Sequence, residues 1–208
     1  MKQRRMVILI IIALIAVAVY AAVAALVSQE PGTGEAPTAA RVTQLPPGAA
    51  TTAMELYPQA EELARAWQGD AQLIGVVATW VRPTETDLMA KQPTWAFYFH
   101  SEKTGEMYLA TSGESGMRGA PDTTAGLAPV PITSGEWKVD SSEALVKFLE
   151  SGGREFMNDQ FVTTAQLRLS ASLSPGKVVW MVAGLSSTRR TAMSVLVDAT
   201  TGTVVSTR

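Results

Sequence analysis

Residues 6–27 form an uninterrupted run without a charged side chain, built almost wholly from isoleucine, leucine, valine and alanine. A helix of this length reaches roughly 33 Å, which matches a hydrocarbon core of about 30 Å. In lipid, a helix satisfies its own backbone hydrogen bonds, so the run is stable there as a single element. The sequence therefore predicts one transmembrane helix over residues 6–27.

The charges on either side of this run predict its orientation. Residues 1–5 carry three basic side chains, whereas Glu30 and Glu35 are the first charged residues after the run. Basic flanks remain in the cytoplasm. We therefore expect residues 1–5 to form a cytoplasmic tail and the C-terminal domain to lie outside the cytoplasmic membrane.

A cleaved signal peptide is the alternative interpretation of the same run. Small residues at Ala24 and Ala25 offer a cleavage site, but the apolar region of a signal peptide usually spans only about 7–15 residues. The greater length here favours a retained signal anchor. Under both interpretations the rest of the chain is exported.

The exported part has a composition that excludes several classes of partner and site. It carries a net charge of −5, because three of the 17 basic residues precede the run and all 19 acidic residues follow it. This balance argues against nucleic acid, which requires a basic face. The sequence contains no cysteine, which excludes disulfides, thiolate metal sites and a lipidated cysteine.

Four segments follow the predicted membrane helix. Residues 28–53 are rich in proline, glycine and threonine and are predicted to be a tether. A first α+β unit is predicted over residues 54–111, with a helix near 58–68 that begins around Pro58, a strand over 73–81, a polar loop over 82–93, and two strands near 95–100 and 107–110. Residues 112–135 are predicted to be a connecting loop, with a short extended piece at 130–132.

Residues 136–208 are predicted to form a second α+β unit. Asp140 and Glu143 have the spacing of a capping box, in which each side chain bonds a free backbone N–H at the start of a helix. Gly152 and Gly153 are predicted to end that helix, and residues 154–162 to be extended. Strands are expected near 163–170, 177–184, 191–198 and 203–207.

The two units share a pattern that predicts an internal duplication. Each has an amphipathic helix before antiparallel strands, and each contains a five-residue turn ending in glycine, at 101–105 and 198–202. The expected fold class is therefore α+β, with two approximate helix-plus-antiparallel-sheet units and the helices on one face.

The second unit resembles the PepSY-like (peptidase-propeptide-like) domains of exported bacterial proteins over residues 137–208. These residues carry the resemblance: Trp137, Val139, Asp140, Ser141, Glu143, Ala144, Val178, Val179, Trp180, Val182, Val195, Val197, Asp198, Ala199, Thr201, Gly202 and Val204. Residues 57–111 are interpreted as a more diverged copy. The resemblance implies a cystatin-like build and a non-catalytic module that binds or inhibits peptidases or regulates activity at the cell surface.

Enzymatic chemistry has little support in the sequence. His100 is the only histidine, and no nucleophile elbow accompanies it. One histidine without cysteine excludes ordinary zinc sites, and the acidic residues lack calcium-loop spacing. We therefore expect no enzyme, no cofactor and no metal.

Three residues are candidates for a binding surface. Tyr98 and His100 alternate along a predicted strand with aromatic residues expected in the core, so both should lie on the opposite face. Asp198 ends a predicted strand, where its carboxylate can bond the backbone of the following turn. A role for Asp198 in ligand contact is the second interpretation.

The sequence favours a membrane-anchored module that binds another exported or membrane protein, or a peptide, with strand addition as the expected mode. The alternative is an accessory single-span subunit of a multi-subunit membrane complex such as an electron-transport assembly, favoured by small residues in the span that allow close helix approach. These are Ala18, Ala21, Ala22 and Ala25. An exported hydrolase is a more distant alternative.

Overall fold

The structure is a computed structural model that describes residues 51–122, 129–133, 135–187 and 189–208. The predicted cytoplasmic tail, transmembrane helix and nearly all of the predicted tether lie outside these residues. No helix in the described ranges is long and apolar enough to cross a membrane.

The described residues form four α-helices and eight strands. The helices are α1 (Ala53–Trp67), α2 (Glu85–Ala90), α3 (Ser141–Phe148) and α4 (Arg154–Asp159), and a kinked segment over Leu149–Gly153 joins the last two. The strands are β1 (Ala71–Val81), β2 (Thr94–Ser101), β3 (Met107–Gly113), β4 (Gly116–Asp122), β5 (Thr164–Ser174), β6 (Lys177–Ser186), β7 (Thr191–Asp198) and β8 (Val204–Thr207). The predicted α+β class with an antiparallel sheet is confirmed.

All eight strands belong to one sheet, in the order β4-β3-β2-β1-β5-β6-β7-β8. It consists of two four-stranded meanders joined by the antiparallel pairing of β1 with β5, in which Val77 lies opposite Arg168. Helix α1 packs on the first meander and α3 packs on β6 and β7 of the second. Because β1 and β5 pair, neither of them is an exposed edge that could pair with another chain.

The helices pack on one face of the sheet and enclose a single core. Trp180 is fully buried there and its Nε1–H donates to the carbonyl oxygen of Val139 at 2.8 Å. Trp137 donates to the same oxygen at 3.1 Å, and the two indole rings meet edge to face. The loop before α3 is thereby fixed to the centre of the second meander.

Helix α1 begins earlier than predicted. Thr52 and Glu55 form a capping box, since the Thr52 hydroxyl accepts from the Glu55 N–H and the Glu55 carboxylate accepts from the Thr52 N–H. Pro58 therefore lies inside the helix instead of near its start, where its missing N–H removes one intrahelical hydrogen bond.

Three predicted non-regular segments contain secondary structure. The predicted loop over 82–93 contains α2, which is capped by Thr84 and Asp87, and the predicted extension over 154–162 contains α4. The predicted connection over 112–135 contains β4, so the first unit extends to Asp122. Strand β4 includes two glycines and a proline and lacks a strand-like composition; it forms because it can pair along β3.

The start of α3 differs from the prediction. Asp140 is the N-cap, but its carboxylate accepts from the N–H of Ser141 and does not form the predicted capping box with Glu143. The predicted end of the helix is confirmed, because Ser151 and Gly152 leave the helical conformation, with Gly152 at φ +101°. The chain kinks at these residues and then enters α4.

The two turns that were matched in the predicted duplication occupy different positions in the sheet. Residues 101–105 join β2 to β3, the second and third strands of their meander, whereas residues 198–202 join the third and fourth strands, β7 and β8. The predicted equivalence of these turns is therefore wrong, although both meanders follow a helix.

Candidate binding surface on the open face of the sheet

The side of the sheet opposite the described helices is called the open face here. Strand β2 directs Trp95, Phe97 and Phe99 into the core, so Tyr98 and His100 lie on the open face, as predicted. A small apolar cluster of Val77, Ala96 and Leu109 lies on this face, with Tyr98 packed against it.

Arg168 lies at the centre of the open face. It is on β5, between Val77 of β1 and Met181 of β6, and it is half-buried. Its guanidinium makes no hydrogen bond or ion pair with any residue in the described part of the chain. Burial lowers the pKa of Arg168 below its ordinary value, while the neighbouring Tyr98 acts in the opposite direction.

Tyr98 shares the electrostatic environment of Arg168. Burial raises the pKa of Tyr98, the charge of Asp122 raises it further, and the charge of Arg168 acts in the opposite direction. On the other side of Tyr98, its cross-strand neighbour is Gly75, which has no side chain. The open face therefore combines a cation and a phenol, with the carboxylate of Asp122 close enough to act on the phenol.

This arrangement suits a ligand that carries a carboxylate. A guanidinium presents several N–H donors in one plane and binds carboxylates in a two-pronged geometry. The partly apolar surroundings, with Val77 and Met181 on either side, strengthen such an interaction relative to bulk water. The Tyr98 hydroxyl, which is protonated at neutral pH as in any tyrosine, can donate a further hydrogen bond.

The structure brings Tyr98 and His100 together but places Asp198 elsewhere. Asp198 is on β7, four strands from β2. Its Oδ1 accepts from the N–H groups of Thr200 and Thr201 at 2.9 and 3.1 Å, and its Oδ2 accepts from Lys177 Nζ at 3.0 Å. The predicted bonding of Asp198 to its turn is confirmed, whereas a role in ligand contact stays a prediction.

The sheet has two edges in the described residues. Edge strand β4 contains Pro121, which has no N–H to donate to an added strand. Edge strand β8 is only four residues long, with Val204 and Val205 exposed. The short β8 edge is the better of the two for the expected strand addition.

Other features of the described residues point less clearly to a ligand. A shallow cavity of about 220 Å³ lies between the end of β1 and the segment that follows it, lined in part by Trp80, Asp87 and Lys91. Within the described ranges, no three histidine, aspartate or glutamate side chains come together as metal ligands would. The absence of an enzyme function, a cofactor and a metal stays a prediction.

Arg168 is not among the residues predicted from the sequence. The available signal was the alternation of Gln166, Arg168 and Ser170 with buried leucines, which indicates a strand with one polar face. The sequence did not indicate that this strand occupies the middle of the sheet.

Comparisons with known proteins add a single distant likeness. No family model matches the chain, and no curated protein matches it. A candidate lipoprotein from Clostridium difficile 630 has a solved structure with 10% sequence identity and a TM-score of 0.45, covering 73% of this chain and 91% of that one. The PepSY-like resemblance therefore stays a prediction.

Proposed function

We propose that this protein is a non-catalytic, membrane-anchored module that binds an exported or membrane protein, or a peptide, outside the cytoplasm. The observation that supports this most directly is Arg168, a half-buried cation without a partner among the described residues, on the side of the sheet that the described helices leave open. A cation in this position is costly for the free domain and becomes favourable when an anionic group binds it.

The proposed ligand contains an aspartate, a glutamate or a terminal carboxylate. The carboxylate lies against Arg168 and Tyr98, and neighbouring apolar parts of the ligand lie on the cluster formed by Val77, Ala96 and Leu109. Arginine and tyrosine, together with tryptophan, are enriched among the residues that carry most of the binding energy at interfaces.

The PepSY-like resemblance of residues 137–208 supports the same class of function. In this interpretation each helix with its meander is a cystatin-like unit, and the specific role is the inhibition or regulation of a peptidase. The predicted helix over residues 6–27 would hold the module at the membrane.

Site-specific photo-cross-linking in the intact protein tests this proposal. A photo-reactive amino acid replaces Met181, which neighbours Arg168 on the open face, and the full chain is expressed in its own membrane. We expect one cross-linked species that disappears with Arg168→Glu and persists with Lys103→Glu, a charge reversal on an exposed turn. A cross-linked species that is unaffected by Arg168→Glu would contradict the proposed site.

A further inference from the structure

The described chain begins at one end of the sheet. The N–H of Thr51 donates to Gln92 Oε1 at 2.5 Å, and its carbonyl oxygen accepts from Trp95 Nε1 at 3.0 Å. Residues 82–93, which connect β1 to β2, therefore lie beside the point where the predicted tether reaches the domain.

Two other segments lie at the same end of the sheet. The N–H of Arg82 donates to the carbonyl oxygen of Thr163 at 3.0 Å, and the N–H of Ser187 donates to the Thr163 hydroxyl at 3.1 Å. We call this end the entry pole and define it by residues 81–94, 160–163 and the described residues of 186–191.

Large apolar side chains are exposed at the entry pole. Val81 is 66% exposed, Phe161 is 58% exposed, and Met89 on α2 is 40% exposed. Val81 pairs with Thr164, three residues after Phe161, so the two most exposed of these side chains are on adjoining segments. Apolar side chains that are exposed close to cations are the composition that favours contact with an anionic membrane surface.

The entry pole is also basic. Its four cations are exposed and form no ion pair within the described residues: Arg82, Lys91, Arg189 and Arg190. Both of its acidic residues are engaged, because Glu85 pairs with Arg154 at 2.9 Å and Asp87 caps α2 through Thr84. The cations therefore dominate the field at this surface.

The opposite end of the sheet has the reverse balance. Its turns carry four acidic residues and two basic ones: Asp70, Glu102, Glu106 and Asp198 against Lys103 and Lys177. The entry pole is thus the basic, partly apolar part of the end where the tether arrives, although the turn between β3 and β4 at that end carries Glu114, and the opposite end is acidic.

We propose that the entry pole docks on a bilayer of anionic phospholipids. Val81, Phe161 and Met89 enter the headgroup boundary, while the four cations lie near the lipid phosphates. This inference rests on the membrane-anchored location in the proposed function.

Single-cysteine labelling of the full-length protein tests the docking, because the sequence contains no cysteine of its own. Phe161→Cys carries an environment-sensitive fluorophore at the entry pole, and Glu102→Cys carries the same fluorophore at the opposite end as the matched control. Each protein is reconstituted into vesicles that contain phosphatidylglycerol and into vesicles of phosphatidylcholine alone.

We expect the fluorophore at residue 161 to shift to the blue and to be quenched by lipid-borne quenchers in the anionic vesicles only, and high salt to reverse both effects. The fluorophore at residue 102 should stay in water. Replacing Arg82, Lys91, Arg189 or Arg190 with glutamine should lower the docking equilibrium about fivefold per residue, whereas Lys103→Gln should leave it unchanged.

Each contrary outcome has a distinct meaning. A protein that co-floats with vesicles but keeps the residue 161 fluorophore in water overturns the docking and leaves the anchor intact. Equal docking on phosphatidylcholine overturns the choice of anionic lipid. A protein that does not co-float lacks the anchor and overturns the docking with it, while the Arg168 cross-link still tests the open face separately.

Discussion

The carboxylate of Asp140 accepts a hydrogen bond at 3.2 Å from the backbone N–H of Met54, which belongs to the first turn of a different helix. The same oxygen accepts from the N–H of Ser141 at the start of α3, and the Ser141 hydroxyl accepts from the N–H of Ala53 at 3.0 Å. The N-termini of α1 and α3 each carry partial positive charge, so one carboxylate stabilises both.

Because Asp140 caps the N-termini of two helices, its replacement should destabilise the domain more than the replacement of a residue that caps one helix. We expect Asp140→Ala to lower the free energy of unfolding by about 2 kcal/mol. Urea unfolding followed by circular dichroism measures the effect. Glu143→Gln is the matched control and should change little, since the predicted capping box does not form; an equal loss in both variants would contradict the shared-cap explanation.

The Asp198–Lys177 ion pair predicts a stability difference that depends on pH. The hydrogen bond from Lys177, followed by those from the turn N–H groups, lowers the pKa of Asp198 below its usual value of 3.8. A lowered folded-state pKa gives stability that is present above pH 3.8 and is lost as the pH falls through the lowered pKa.

Asp198→Asn should therefore reduce the free energy of unfolding at neutral pH by about 1 kcal/mol, a modest value because Lys177 is half exposed. The difference from the wild type should vanish in acid, where the wild-type carboxylate is protonated. Lys177→Met should give a similar loss, and the double variant should lose less than the sum. A pH-independent loss would show that the Asn side chain disrupts the turn itself.

The two five-residue turns show what the sequence pattern could and could not predict. Gly105 and Gly202 have φ of +70° and +73°, and each donates its N–H to the carbonyl oxygen four residues earlier, at 2.8 and 2.9 Å. Glycine in the fifth position predicts this conformation in both cases. The place of each turn in the sheet depends on the pairing of β1 with β5, which are far apart in sequence, and no local pattern encodes it.

The candidate site likewise contains residues that a local pattern predicts and one residue that it does not. Alternation along β2 was sufficient to place Tyr98 and His100 on the open face, because side chains in a strand point to opposite sides in turn. Arg168 becomes notable only when its strand is known to be central. The start of α1 was predictable, since Thr52 and Glu55 have the capping-box spacing, whereas β4 depends on its contact with β3.

Gly152 should be sensitive to substitution because of its backbone conformation. Its φ of +101° lies in a region that side chains disfavour, while the nearest atom to an added Cβ would be the flexible end of Met193 at 3.3 Å. We expect Gly152→Ala to destabilise the domain by about 1–2 kcal/mol through backbone strain. Gly69→Ala, with open space around it, is the control for thermal unfolding and should be neutral; equal effects would contradict the strain argument.

Tyr57 should lose its proton at a higher pH than an ordinary tyrosine. Burial, followed by the charge of Glu61 and the hydrogen bond to it, raises the pKa of Tyr57 to about 12. Since the folded-state pKa is raised, the associated stability is present below pH 10 and is lost as the pH rises towards 12. Tyrosinate absorbance measures this, with Tyr57→Phe identifying the step. Glu61→Gln should lower the pKa while burial keeps it above 10; an unchanged pKa would show that Glu61 has no role.

Arg168 should lower the stability of the free domain and strengthen ligand binding. A residue with a structural role would instead raise the stability of the domain. Its guanidinium is half-buried without a partner in the described residues, so Arg168→Met removes an unfavourable charge and keeps an extended apolar side chain beside Val77 and Met181. We expect the free energy of unfolding to rise by about 1 kcal/mol while the Met181 cross-link is lost. Arg65→Met removes an exposed ion pair with Glu61 and should change stability little and spare the cross-link. A clear loss of stability in Arg168→Met would instead assign Arg168 to the packing of the sheet.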